Sequence, residues 1–568
     1  FFLALLLAPL AVARPAWGTD GSGEEALPSR TVPPAGITTP VVGELPEIVP
    51  AETRARHGLP PIAEALAQVH FPDAPERLFA ARRALGFQEL LVLQLALGQR
   101  RARWTKDAKA PVLRAADAEV AAWVDALPFA LTGAQERAFA QIRGDLARSV
   151  PMSRLLEGDV GSGKTVVAAL AARIAVASST QAALMAPTEL LAEQHCRTLT
   201  ALWAAGGPSV ELLSSGVGAA KRRELLGRLA EGTLDVVVGT HALVEEGVVF
   251  HRLGLSVVDE QHRFGVRQRA TFREKGLDPH LLLTTATPIP QTLSQTIYRD
   301  LDISIIDELP AGRRPIRTEV RAPEALPKVW PWLRERVAAG EQAFVVCPRI
   351  GGGDDDDDDD APGAAATEPA TDLERGPLAG LRIGLLHGRL PPKEREARMR
   401  RFAARELDVL VATTVVEVGI DVPNATAMIV LSAERFGLAT LHQLRGRVGR
   451  GDRRSFCLLV SESATESGRL RAMTEKRVGA DGAERPLDGF DLAKRDLEIR
   501  GAGEFLGERQ HGSNELRIVD FDDIDPRLLD DTGGEADRIL AADPELARPE
   551  HARLVAAVGD LWDRYALA

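Results

Sequence analysis

Residues 155–172 read LLEGDVGSGKTVVAALAA. An apolar segment precedes the pattern Gly158-x4-Gly163-Lys164-Thr165, and an alanine-rich helical pattern follows it. Glycine lets successive backbone N–H groups curl around a phosphate, and the N-terminus of the following helix adds a positive dipole end. The stretch therefore predicts a strand, a phosphate-binding loop and a helix, the opening unit of a parallel α/β sheet.

The residue types of this loop predict both a nucleotide and a metal ion. Lys164 is expected to reach the β- and γ-phosphates of ATP and to act in catalysis, and the Thr165 hydroxyl is expected to ligate Mg²⁺. The expected nucleotide contacts of the loop are Gly158, Gly161, Ser162, Gly163, Lys164 and Thr165. ATP and Mg²⁺ are therefore the predicted cofactors.

A second acidic element follows an apolar strand in LGLSVVDEQHRFG (253–265). Asp259 is expected to lie opposite Thr165 across the metal, and Glu260 to orient or deprotonate the attacking water. An acidic pair after a strand is a weak signal alone, but downstream of a phosphate loop it predicts a hydrolytic site.

Short apolar segments alternate with helical patterns on both sides of this element. The first set is AALMAP, DVVVGT, LSVVDE and LLLTTAT, and the second set is QAFVVCP, RIGLLHG, DVLVATT, AMIVLS and SFCLLVS. This alternation predicts parallel sheets covered by helices. Two consecutive sets of similar size predict an α/β fold with two lobes and a cleft between them.

The second set ends near LHQLRGRVGRG (441–451), which is rich in arginine. Arg447 and Arg450 are three residues apart, so we expect them to share one helix face. If the second lobe closes over the first, both can act as arginine fingers on the γ-phosphate. A basic surface patch and a nucleic-acid strip remain open as alternatives.

Composition excludes some classes of protein and leaves others open. The 568 residues are 45% hydrophobic and 26% charged, with three widely spaced cysteines, which favours neither a disulfide framework nor a zinc site and suits a reducing cytosol. Seven charges of the net −12 belong to the run Asp354–Asp360, which is interpreted as a solvated surface loop. A motor that follows a nucleic-acid backbone needs only a basic strip, so the net charge decides little.

The N-terminal part has two predicted sections. Residues 1–45 lack a steady period and are predicted to be disordered, and their first apolar run has no basic residue before it, which favours a truncated start over a secretory signal. Residues 61–103 have a helical pattern that Gly86 could interrupt. Its predicted core stripe consists of Leu78, Ala81, Leu85, Val92 and Ala96.

These elements, in this order, resemble the motifs of superfamily 2 helicases. The matching stretches are PFALTGAQ, GDVGSGKT, APTELLAEQH, GTHAL, DEQH, TATPIPQTL, VATTVVEVGIDVP and QLRGRVGR. The resemblance implies two tandem RecA-like domains, adenine contacts by Phe129 and Gln135, and further nucleotide contacts by Gly419 and Asp421. It also implies that Thr285 and Thr287 couple the nucleotide state to the grip on DNA. The DNA contacts that it implies are Thr188, Glu189, Thr240, His241 and Thr413.

A finer resemblance is to the RecG family of bacterial branch-migration helicases. It is carried by residues 70–97, by Gln261 within DEQHRFGVRQR, by IDELPAGRRPIRT (306–318) and by DGFDLAKRDLEIRGAGEFLGERQHG (488–512). The last stretch is similar to the family's translocation (TRG) motif, which implies DNA contacts by Arg500 and Gln510.

The RecG resemblance implies an ATP hydrolase and DNA helicase that acts on forks and Holliday junctions in DNA recombination and repair. It further implies a cytoplasmic monomer, with single-stranded DNA-binding protein as a second partner. RecG proteins place an OB-fold wedge domain before the helical segment, and too few residues precede position 60 to build one. We therefore expect a fragment or a form without the wedge. A translocase similar to the transcription-repair coupling factor Mfd, and a binding protein with an inactive core, are the alternatives.

The same resemblance divides the chain into five expected regions. A helical linker covers residues 46–105, the ATP-binding lobe 106–310 and the second lobe 311–465. A mainly helical TRG-like domain covers residues 466–568, and residues 1–45 precede the linker.

Overall fold

The computed structural model describes most of the chain, in separate ranges. These are residues 45–106, 109–203, 207–245, 247–259, 278–286, 301–310, 315–348, 372–413, 422–451, 453–462, 467–478, 484–500 and 526–567. Two predictions concern residues outside these ranges: the disorder of residues 1–45, apart from residue 45 itself, and the surface loop Asp354–Asp360. The described residues form two compact units, one helical and one α/β. No helix among the described residues combines the length and apolar character needed to cross a bilayer.

The helical unit combines both ends of the described chain. Its helices are α1 (Ala51–His57), α2 (Ile62–His70), α3 (Pro75–Lys106), and, in the C-terminal part, α14 (Pro526–Ala542) and α15 (Ala552–Leu567). Helix α3 is continuous through Gly86, because both α14 and α15 pack along it and bury its apolar side chains. The predicted stripe on α3 is buried, but so are the neighbouring Leu90, Leu91 and Leu95, so α3 is apolar on more than one face.

The α/β unit begins with α4 (Asp117–Asp125) and α5 (Gly133–Leu146) and then forms the first lobe. The strands and helices of this lobe are β1 (Ser153–Gly158), α6 (Lys164–Ala177), β2 (Gln181–Met185), α7 (Glu189–Trp203), β3 (Val210–Leu213), α8 (Ala219–Glu231), β4 (Val236–Gly239), β5 (Leu253–Val258), β6 (His280–Thr285) and β7 (Asp302–Ile306). Its sheet has the order β3-β4-β2-β5-β6-β1-β7, and all of its pairs are parallel.

The second lobe repeats this arrangement in the same unit. It contains β8 (Arg317–Arg321), α9 (Leu326–Ala338), β9 (Gln342–Val346), β10 (Ile383–Leu386), α10 (Pro392–Ala403), β11 (Val409–Ala412), β12 (Ala425–Val430), α11 (Leu438–Arg445) and β13 (Phe456–Val460). Its parallel sheet has the order β10-β11-β9-β12-β13-β8. Then come α12 (Gly468–Thr474), the hairpin β14 (Lys476–Val478) and β15 (Glu484–Pro486), and α13 (Gly489–Arg500).

Burial explains why these segments read as continuous apolar runs. Every residue of β2, β4, β5 and β6 is buried, and so is every residue of β9, β11 and β12. Strands covered by helices on both faces need apolar side chains on both faces. The predicted fold class, two tandem parallel-sheet α/β domains with helical N- and C-terminal parts, is confirmed. The boundaries at 105, 310 and 465 stay predictions.

Candidate active site

The predicted phosphate loop connects β1 to α6. Gly158 is the last residue of β1, and Lys164 is the first residue of α6. The Lys164 ammonium donates hydrogen bonds to the carbonyl oxygens of Gly158 (2.8 Å) and Asp159 (3.1 Å). Gly161 and Gly163 have φ angles of 78° and 87°, in the left-handed region that favours glycine. The loop therefore has the curled backbone that the sequence predicts.

Gln135 contacts this loop from helix α5. Its side-chain oxygen accepts from the Thr132 backbone N–H (2.9 Å), and Thr132 Oγ1 accepts from the Gln135 backbone N–H (3.2 Å). This reciprocal cap fixes the side chain, whose Nε2 donates to the Ser162 carbonyl (2.8 Å). A Cβ on Gly163 would lie 2.2 Å from that Nε2, so only glycine allows this approach. Gln135 is thus held against the phosphate loop, and its contact with adenine stays a prediction.

Phe129 is the other residue predicted to contact adenine. Its side chain is 47% exposed, so it is not a core residue of the first lobe. An exposed ring close in sequence to the Thr132–Gln135 cap remains available to stack on a base. Its contact with adenine stays a prediction.

Asp259 directly follows β5. Its carboxylate accepts from the Thr284 hydroxyl of β6 and lies 2.8 Å from Nε2 of His195 on α7. Burial alone would raise the pKa of this carboxyl, but the hydrogen bonds of His195 and Thr284 and the positive charge of Lys164 lower the pKa to about 2. Asp259 is therefore a carboxylate at neutral pH, as a metal ligand must be. Its predicted partner Glu260 lies outside the described residues.

His195 and Thr284 were not among the predicted site residues. The register of β5 and β6 explains the position of Thr284. Val258 of β5 is paired with Leu283 of β6, so the residues that follow them, Asp259 and Thr284, lie side by side. The motif pattern had favoured Thr285 and Thr287 instead, and Thr285 is buried while Thr287 lies outside the described ranges. His195 ends the quoted stretch APTELLAEQH, which was the available signal for it.

The arginine segment of the second lobe differs from the prediction in its secondary structure. Helix α11 ends at Arg445, and Gly449 has a φ of 77°. Arg447 and Arg450 therefore follow the helix, and the expectation that they share a helix face is wrong. A helix cannot continue through a left-handed residue, so Gly449 also prevents Arg447 and Arg450 from lying in one continuous helix. The Arg450 Nε atom donates to the Gly446 carbonyl (3.3 Å).

This arginine segment contacts the phosphate loop of the first lobe. A Cβ on Gly446 would lie 3.0 Å from Cβ of Val160, so glycine permits the close approach of the two segments. His442 lies four residues earlier, with Nε2 2.6 Å from the Asp159 carboxylate. The residues that precede Arg447 and Arg450 are thus held at the nucleotide loop. The role of both arginines as fingers stays a prediction.

The predicted DNA-contacting residues follow strand ends. Thr188 and Glu189 follow β2, Thr240 and His241 follow β4, and Thr413 follows β11. Neighbouring parallel strands end on one edge of a sheet, so β2 and β4 bring the first four together.

Some of these residues also have structural partners. Thr188 Oγ1 accepts from the Leu191 N–H (3.3 Å) and so caps α7, while the Glu189 carboxylate accepts from the Ser215 N–H (2.8 Å). Thr413 is only 5% exposed. The DNA contacts stay predictions. The contacts assigned to Gly419, Asp421, Gln510 and the Arg500 side chain stay predictions too, since these lie outside the described part of the chain.

The site fits ATP with Mg²⁺. Among the described residues, the buried Ser162 Oγ has no hydrogen-bond partner, which suits a phosphate oxygen. Thr165 lies in the first turn of α6, and Asp259 is ionised. No cluster of three or more His, Cys, Asp or Glu side chains within those residues could hold a metal alone.

Comparison with known proteins identifies both lobes. Residues 132–296 match the family model of DEAD/DEAH box helicases, and residues 333–452 match the helicase conserved C-terminal domain. The ATP-dependent DNA helicase RecG of Bacillus subtilis (strain 168) is 42% identical over 518 residues, which cover 91% of this chain and 74% of the relative. That of Synechocystis sp. is 43% identical over 511 residues, covering 90% and 60%.

A solved structure agrees with these relatives. The structure of RecG bound to a three-way DNA junction has a TM-score of 0.73 and 35% sequence identity, and the match covers 88% of this chain and 62% of that one. The chain thus spans roughly two thirds of the length of the proteins that it matches. It belongs to the family of RecG ATP-dependent DNA helicases.

Proposed function

We propose that this chain is an ATP-driven DNA motor that remodels forks and Holliday junctions in recombination and repair. One observation carries the proposal: the contact of His442 with Asp159 joins the start of the arginine segment to the phosphate loop, within the same compact α/β unit that contains Asp259. The relatives named ATP-dependent DNA helicase, and the RecG bound to a three-way junction, support branched DNA as the substrate.

Each residue has one role in ATP hydrolysis. The phosphate loop and Lys164 bind the phosphates, Thr165 and Asp259 would hold Mg²⁺, and Glu260 orients the attacking water. Mg²⁺ supplies positive charge that neutralises the phosphate oxygens. Arg447 and Arg450 bring positive charge to the γ-phosphate from the second lobe. Because these residues come from both lobes, hydrolysis requires that the lobes approach each other.

The DNA is gripped at the strand ends of each lobe. Thr188, Thr240 and His241 of the first lobe and Thr413 of the second contact phosphate oxygens. Glu189 lies beside them on the DNA side, and its carboxylate, which can only accept hydrogen bonds, binds the Ser215 N–H. Contacts to phosphates position a protein on DNA without reading its sequence. Alternating grip by the two lobes then moves the DNA by one step for each ATP hydrolysed.

The remaining assignments follow from the family. We infer that the chain acts as a monomer in the cytoplasm, where free thiols such as its Cys196, Cys347 and Cys457 persist. Single-stranded DNA-binding protein is the second partner that we propose. Sedimentation of the purified chain tests the first assignment, and co-purification with that protein tests the last.

Substitution of Lys164 tests the proposed function. Lys164→Ala should abolish ATP hydrolysis stimulated by a three-way junction, because it removes the ammonium that holds the transferred phosphate. Lys221→Ala is the matched control, since Lys221 forms an ion pair with Glu224 on α8 and should leave turnover unchanged. Full turnover in Lys164→Ala, or a wild-type chain that junction DNA does not stimulate, would contradict the proposal.

A further inference from the structure

Asp159 is one of the four residues that the pattern Gly158-x4-Gly163 leaves unspecified, and its side chain has partners on several sides. Oδ1 accepts from the Val160 N–H (2.6 Å) and from His442 Nε2 (2.6 Å), and Oδ2 accepts from the Gly489 N–H (3.1 Å). Asp159 is only 9% exposed. Burial raises the pKa of this carboxyl, yet His442 and the nearby Arg445 hold it well below its usual range. Asp159 is therefore a buried carboxylate with three donors.

The geometry shows which ring nitrogen of His442 accepts and which donates. Its Nδ1 lies 2.8 Å from Nη2 of Arg445, and a guanidinium can only donate, so Nδ1 is the acceptor. Nε2 is then the nitrogen that donates to Asp159. The same Arg445 Nη2 also donates to the Leu487 carbonyl (3.0 Å).

These bonds form a closed network between three segments. Leu487 and Gly489 stand two residues apart at the start of α13, and each is bound by a different member of the network. Asp159 belongs to the phosphate loop, and His442 and Arg445 belong to α11 of the second lobe. Buried hydrogen bonds of this kind hold their segments together, although the other terminal nitrogen of Arg445, Nη1, is buried without a hydrogen-bond partner among the described residues.

Asp159 also contacts the catalytic lysine through its main chain. Its carbonyl accepts from Lys164 Nζ (3.1 Å), so one residue joins the phosphate-binding ammonium to the network.

We propose that Asp159 is a positioning residue that couples the phosphate loop to the arginine segment and to the start of α13. The proposal rests on the proposed function, since it concerns turnover that DNA stimulates. Arg445 is then the support at the end of α11, directly before the segment that contains Arg447 and Arg450. Segment α13 belongs to the stretch similar to the TRG motif, so the network joins ATP binding directly to that helix.

Asp159→Asn tests this role with little change of shape. An amide has one accepting and one donating end, so in either orientation one of the two donors, His442 or Gly489, faces an N–H group. We expect kcat of junction-stimulated ATP hydrolysis to fall about ten-fold or more, which is within the range found for coupled neighbours. KM for ATP should change by no more than about two-fold, because Lys164 and Thr165 remain.

His442 offers a graded test of the same bond. The Nε2 of glutamine can still donate to Asp159, whereas alanine cannot, so His442→Gln should retain more stimulated kcat than His442→Ala. The double variant Asp159→Asn/His442→Ala should be no worse than the more impaired single variant, because both changes break one network. If Asp159→Asn fails to fold, the comparison of His442→Gln with His442→Ala still tests the positioning role of Asp159.

A matched control separates coupling from stability. Asp543 and His551 form another buried pair, 2.7 Å apart, in the helical unit. Asp543→Asn should lower the melting temperature and leave the stimulated kcat unchanged. Unchanged kcat in Asp159→Asn, or additive losses in the double variant, would overturn the inference. If junction DNA fails to stimulate ATP hydrolysis by the wild-type chain, the proposed function itself is wrong. The wild-type assay alone therefore distinguishes failure of the proposed function from failure of this inference.

Discussion

Apart from the edge strand β7, the two lobes have the same order of strands but differ in the segment that follows one equivalent strand, β1 in the first lobe and β8 in the second. The first lobe has the order β3-β4-β2-β5-β6-β1-β7 and the second has β10-β11-β9-β12-β13-β8, so β1 and β8 hold equivalent places. In the first lobe β1 leads into the glycine-rich loop and Lys164. In the second, β8 leads into a turn at Pro323 and then α9, which offer no phosphate loop.

The likeness extends to single buried side chains. Gln181 begins β2 and donates through Nε2 to the carbonyls of Leu229 (2.9 Å) and Leu234 (2.8 Å). Gln342 begins the equivalent β9 and donates to those of Phe402 (2.6 Å) and Leu407 (2.7 Å). Each glutamine ties the central strand to the end of a helix. The lobes therefore share their supports and divide the chemistry, with the phosphate loop in one and the arginines in the other.

The largest effect is expected where the second lobe supplies charge that the first lacks. Arg450→Ala or Arg447→Ala should lower kcat for stimulated ATP hydrolysis by about 10³-fold, because an arginine finger stabilises charge in the transition state. Steady-state hydrolysis with junction DNA measures it. Arg453→Ala is the control: this arginine is half-exposed and donates to the Ala339 carbonyl, so turnover should persist. Equal losses in all three variants would mean a general basic patch.

The glutamines test whether the shared framework carries equal weight in both lobes. Gln181→Ala and Gln342→Ala should each lower the free energy of unfolding by about 2–4 kcal/mol, because each leaves buried carbonyls unpaired and opens a cavity. Urea unfolding followed by circular dichroism measures the change. Gln→Met at the same positions keeps most of the volume, so its residual loss isolates the hydrogen bonds. A loss of unfolding free energy in only one of the two variants would contradict the view that the two glutamines support their lobes equally.

The smallest effect concerns two aspartates at equivalent positions, one directly before β4 and one directly before β11. Asp235 accepts from Ser209 N–H (2.7 Å), and Asp408 accepts from Arg382 N–H (2.9 Å) and pairs with the Arg382 guanidinium. The Arg382 hydrogen bond lowers the pKa of Asp408 despite its partial burial.

A lowered folded-state pKa means that this stabilisation is present above the ordinary value of 3.8 and is lost as pH falls through the folded-state pKa. Asp408→Asn should therefore cost about 0.5 kcal/mol at neutral pH and low salt, and less at high salt. Thermal unfolding at two salt concentrations measures it. A loss that salt leaves unchanged would mean that the ion pair with Arg382 contributes nothing.

Sequence patterns predicted the framework more fully than the contacts of the site. The apolar runs of both lobes became the predicted strands, since strands covered on both faces need continuous apolar sequence. The Thr284 contact with Asp259 was missed, because two adjacent threonines are equivalent until the β5–β6 register is known. The helical expectation for Arg447 and Arg450 failed because spacing cannot show that a helix ends at Arg445.

The sequence by itself determined the two parallel sheets, the phosphate loop and the acidic residue opposite it, because these depend on local periodicity and on fixed spacing along the chain. Only the tertiary structure decided that Asp159 joins His442 and Gly489, and that His195 and Thr284 hold Asp259. Asp159 and Gly489 stand 330 residues apart in the sequence. Contacts of that kind depend on the packing of lobe against lobe, for which a single sequence carries no local pattern.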